Sequence, residues 1–70
     1  MTISRELLAP GMSCNHCKMT IEKAVKELSG IMYINADPDS KKVTVEFDDK
    51  SVTIDDIKNS IQNAGYTVEG

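Results

Sequence analysis

Apolar residues recur in this chain in two helical series and several alternating runs. Cys17, Ile21, Ala24, Val25 and Leu28 fall three or four positions apart, as do Ile54, Ile57, Ile61 and Ala64, so each series marks one face of an amphipathic helix. Gly30 follows the first series and Gly65 the second, the usual stop signal at a helix C-terminus. Thr53 precedes the second series as an N-cap, and Asp55 and Asp56 put negative charge in its first turn, where the macrodipole favours it. Val43, Val45 and Phe47 alternate with Lys42, Thr44 and Glu46, which predicts a strand with one buried and one wet face. Residues 31–36 predict a partner strand with Ile34 and Ala36 inward, joined to it through the turn formers Asp37-Pro38-Asp39-Ser40. A first strand covers roughly residues 2–9, with Leu7 and Ala9 in period, until Pro10-Gly11 stops it. A short closing strand is predicted from Tyr66 to Glu69.

The order strand-helix-strand-strand-helix-strand, with each helix apolar on one face only, predicts an α+β fold. The expected arrangement is the ferredoxin-like βαββαβ architecture, a four-stranded antiparallel sheet covered on one face by two helices. Residues 1–70 are expected to form a single domain, because 70 residues leave no room for a second core.

Charge and composition narrow the function. A net charge of −3 argues against a nucleic-acid binder, which needs clustered Lys and Arg. The acidity is local: residues 1–30 carry four basic and three acidic side chains, residues 31–70 four and eight, so the half with both cysteines is nearly neutral. The N-terminal stretch reads as neither a signal-peptide h-region nor a membrane span, so the chain is expected in the cytosol, without membrane insertion. In that reducing compartment two cysteines three residues apart read as a metal or redox pair rather than a structural disulfide.

Residues 11–18 read GMSCNHCK, which sets Cys14 in the loop after the first strand and Cys17 in the first turn of the first helix. Unpaired backbone N–H groups and the positive end of the dipole lower a thiol's pKa there, and Lys18 adds a nearby positive charge. Two soft thiolates suit an ion of low coordination number, Cu(I) ahead of Zn(II), which usually takes four ligands. Such a site is open to an incoming ligand, which favours transport over storage.

The chain resembles the heavy-metal-associated domain family, as found in bacterial copper chaperones and the N-terminal domains of copper-transporting P-type ATPases. The resemblance spans the chain and rests on the GMSCNHC stretch, Gly30-Ile31, the run from Val43 to Asp48, and Ala64-Gly65-Tyr66. It implies Cu(I) held by Cys14 and Cys17 and docking onto a copper-transporting P-type ATPase or its metal-binding domain; Ag(I) and Zn(II) stay open as alternative ions. Ser13 stands where zinc- or cadmium-selective members often carry an acidic residue. The resemblance also implies that Met12 packs beneath the loop and that Tyr66 brings its hydroxyl near the thiolates. His16 reads equally as a solvated loop residue or as a group that tunes the site, including in a metal-bridged homodimer. Lys18, Lys23 and Lys26 are expected on the solvent side of the first helix; a charged outer face is ordinarily just solvated, and the resemblance adds docking to an acidic partner.

The chain is therefore expected to be a metal carrier and not an enzyme. A stand-alone carrier and a regulatory domain of a zinc, cadmium or copper ATPase share this site and differ in whether the polypeptide runs on past residue 70. A thiol-disulfide oxidoreductase also uses CxxC at a helix start, but Pro10 and Pro38 are poorly placed to supply the proline loop that such folds set against the thiols.

Overall fold

The structure is a computed structural model and describes residues 1–69. Its elements run β1 (Thr2–Leu8), α1 (Asn15–Lys26), β2 (Ile31–Asp37), β3 (Lys42–Asp48) and α2 (Ile54–Asn63). The strands form an antiparallel sheet in the order β1-β3-β2. The alternation seen in the sequence sets the register: Leu7 lies opposite Val43 and Ala36 lies opposite the same residue from the other side, so a buried apolar row crosses all three strands, while Arg5 stands opposite Val45 on the β1 side. That row packs with Ile21 and Val25 of α1 and Ile57 and Ile61 of α2 into one core.

The expected fourth strand shrinks to a single antiparallel bridge between Leu8 and Glu69, whose two backbone hydrogen bonds measure 2.7 and 2.8 Å. The described sheet thus has three strands instead of four. The next hydrogen-bonded pair of such a ladder would need an N–H from residue 10, and Pro10 has none. Ala9, in between, donates its amide to the Lys41 carbonyl at 2.8 Å. In the other direction the pairing would pass to Gly70, outside the described residues.

Both glycine stops sit in the left-handed region, Gly30 at φ 90° and Gly65 at φ 99°. Gly30 is also a close-approach site, because a Cβ there would lie 2.6 Å from the Ser51 Cβ. The first helix ends at Lys26, earlier than its apolar series suggests, yet Leu28 still packs against the core from the following turn. No described helix is long and apolar enough to cross a membrane.

Candidate metal centre

Pro10 and Gly11 turn the chain out of β1 toward α1, and Met12, fully buried, pins the turn to the core. The Met12 amide donates to the Ala9 carbonyl at 2.9 Å, which closes the turn. Met12 therefore packs beneath the loop.

Cys14 is the N-cap of α1, in extended backbone, and Cys17 is the third residue of the helix. Their sulfurs lie 3.3 Å apart, well beyond the roughly 2.05 Å of a disulfide. Both are free, with Cys14 exposed and Cys17 half-buried at the edge of the core. The Cys14 side chain caps no backbone amide and the first turn holds no acidic residue, so this helix start stays available to negative charge.

Tyr66, in the turn after α2, faces this pair. A Cβ placed on Gly11 would lie 4.0 Å from Tyr66 Cδ1, so the ring covers the start of the loop. Its hydroxyl has the largest influence on the Cys17 thiol and, with the Ser13 backbone and the Cys14 side chain, lowers it from 9.0 to about 7. The interaction is mutual: the Cys17 sulfur, helped by burial, raises the Tyr66 hydroxyl above its ordinary value.

The other sequence-selected residues are placed less uniformly. Ser13 and His16 are exposed, and His16 uses its backbone carbonyl to accept the Thr20 hydroxyl at 2.9 Å. Among the described residues no third His, Cys, Asp or Glu joins the two cysteines. Lys23 and Lys26 are exposed, and they also sit in the last turns of α1, where positive charge complements the dipole.

Lys18 departs from its expected solvent position. Its ammonium lies 2.6 Å from Glu22 and 3.4 Å from the Asn35 side chain, over β2. Glu22 accepts in turn from the Ala36 amide at 3.0 Å, which occupies a donor on the outer edge of β2. Burial pushes the Glu22 carboxyl up, but the Lys18 ammonium and the Ala36 amide outweigh it and hold the group below the ordinary carboxylate range. A helix-face pattern puts Lys18 outside; the hydrogen-bonding need of an edge strand draws it in.

Sequence reasoning passed over Lys41. Its side chain crosses from the β2–β3 hairpin to donate to the Met12 carbonyl at 2.9 Å, and no local spacing signals a contact across 29 positions.

The family model for the heavy-metal-associated domain matches residues 6–67, which include the loop, both cysteines and Tyr66. The chain belongs to the heavy-metal-associated domain family. Among curated relatives, the copper chaperone CopZ of Staphylococcus haemolyticus is 33% identical over 67 residues, covering 96% of this chain and 98% of that protein. Among solved structures, the apo copper chaperone of Enterococcus hirae is 38% identical, with a TM-score of 0.84 over 91% of this chain and 94% of the other. The N-terminal domain of a potential copper-translocating P-type ATPase from Bacillus subtilis, in its Cu(I)-loaded state, is 29% identical, with a TM-score of 0.93 over 99% and 86%. This heavy-metal-associated domain thus shares its fold with both carriers and ATPase domains.

Proposed function

We propose that residues 1–70 form a single-domain carrier that binds Cu(I) between Cys14 and Cys17 and passes it by ligand exchange to a copper-transporting P-type ATPase or a similar partner. The observation that carries this reading is the pair of free thiols, their sulfurs 3.3 Å apart, at an uncapped helix start. Two thiolates with no third donor from the described chain suit a soft ion of low coordination number, and leave zinc short of the ligands it prefers. The names of the matched relatives support copper as the cargo over Ag(I) or Zn(II).

Transfer follows from the openness of the site. An incoming thiolate adds to the bound ion, one protein sulfur leaves, and a second partner thiolate displaces the other, with copper staying monovalent throughout. A thiol lowered to about 7 departs easily as thiolate near neutral pH. Lys23 and Lys26, free of the contacts that hold Lys18, are the basic groups available for docking on an acidic partner. A second copy of the chain could supply the incoming sulfurs instead, giving a metal-bridged homodimer.

The likeness to the Cu(I)-loaded ATPase domain favours a second reading, a metal-binding regulatory domain with the same two ligands. The length of the open reading frame separates the two. For the site itself, X-ray absorption on the Cu(I)-loaded protein should show sulfur donors alone, and the Cys14→Ser/Cys17→Ser double variant should fold and bind no copper. Stoichiometric Cu(I) in that variant would overturn the assignment; nitrogen in the copper shell would promote His16 to a ligand.

A further inference from the structure

We propose that Lys41 anchors the metal loop from the β2–β3 hairpin and is a positioning residue for Cu(I) uptake, a role that rests on the carrier reading above. Among the described residues Lys41 is the only one other than glycine with positive φ, at 60°. A side chain with a Cβ in that region is strained, and a turn position of this kind is ordinarily given to Gly or Asn. Strain retained in one place is a reason to ask what the surroundings gain from it. Here the gain is visible at both ends of the residue. The Lys41 carbonyl accepts the Ala9 amide at 2.8 Å, and its ammonium donates to the Met12 carbonyl at 2.9 Å.

These two bonds grip residues 9 and 12, the segment that carries the chain from β1 to Cys14. The carbonyl bond is available to any residue at position 41, whereas the ammonium bond needs a long cationic side chain. Met12 is held from below by the core and from the side by Lys41, which leaves Ser13 and Cys14 exposed on a fixed base. A fixed loop keeps the two sulfurs near each other before the ion arrives, and such preorganisation raises affinity and slows release.

The test compares Lys41→Met, Lys41→Gly and Lys41→Arg by amide exchange at residues 11–14 of the reduced apo protein and by Cu(I) competition against a chromophoric chelator. Methionine keeps the stem and the backbone strain but loses the charge; loss of a hydrogen bond from a charged donor should speed loop exchange and weaken Cu(I) binding, each about tenfold. Glycine also loses the charge but relieves the strain. It should therefore melt about 4 °C or more above the methionine variant, yet exchange and bind as weakly. Arginine can still donate and should restore both readouts. Wild-type loop exchange in the methionine and glycine variants would overturn the proposal. So would faster exchange with unchanged Cu(I) affinity, or an affinity that tracks melting temperature across the series. If the wild-type protein takes up no copper, the carrier reading fails, and the exchange measurements still report on the anchor.

Discussion

At the start of α2, the Thr53 hydroxyl accepts from the Asp56 amide and the Asp56 carboxylate accepts from the Thr53 amide, both at 3.2 Å. This is a capping box: N-cap and third helical residue satisfy each other's backbone. In α1 the same two positions are Cys14 and Cys17, and the Cys14 side chain caps no backbone amide. α2 also carries Asp55 and Asp56 in its first turn, where α1 has no acidic residue. One helix start is neutralised from within, and the other is left electropositive under two sulfurs. The contrast between these helix starts gives a physical reason for the CxxC spacing. Side chains at the N-cap and third positions meet at the helix start, each within reach of the other's backbone amide, whether they carry oxygen to complete the helix or sulfur to hold something else.

Making α1 begin as α2 does gives the largest expected effect. The Cys14→Thr/Cys17→Asp variant installs the capping-box residues of Thr53 and Asp56. It should lose Cu(I) binding altogether while gaining about 1 kcal/mol of apo stability, since a good cap contributes roughly that much. Equilibrium dialysis and thermal melting of the reduced proteins measure the two arms. A less stable variant would mean that the α1 start is shaped by something other than an absent cap.

The converse change is smaller and separates the two ends. Thr53→Ala removes one side of the existing box and should destabilise the fold by about 1 kcal/mol, with Cu(I) affinity unchanged. A shift in copper affinity would show that α2 reaches the metal loop through the core, and that the two helix starts are not independent.

The features that set the two helix starts apart were unequally legible in the sequence. Thr53, Asp55 and Asp56 declare their cap by residue type, and the three- and four-residue spacing around Ile21 and Ile57 fixes both helices, because such signals act within one or two turns. The CxxC position and the core row of Val43, Val45 and Phe47 were equally plain. What was hidden depends on contacts between distant segments. The fourth strand fails to extend because Pro10 withholds a donor one pair beyond the bridge, although Tyr66 to Glu69 has the composition of a strand. Lys18 leaves the solvent face because Ala36, on an edge strand, draws in Glu22. Lys41 looks like a turn residue until the hairpin is folded against the loop.

The smallest expected effect concerns how far Tyr66 completes what the α1 start lacks. Tyr66→Phe keeps the ring over Gly11 and removes the hydroxyl, the largest of the influences that lower Cys17. The Cys17 thiol should then move up from about 7 toward 9.0, seen as a rightward shift in the pH profile of its alkylation rate. Stability should follow the same group. A thiol lower in the folded than in the unfolded state contributes stability that is fully present above the unfolded value and lost as pH falls through the folded one. In the wild-type protein that contribution grows between about 7 and 9.0. Subtracting the pH profile of Cys17→Ser removes the other titrating groups, including the N-terminal ammonium held by Asp49 and Asp48, whose raised pKa acts in the opposite direction. Tyr66→Phe should flatten the remaining slope. An unchanged alkylation profile would assign the lowered thiol to the uncapped helix start and the Ser13 backbone, with the tyrosine serving only to close the core.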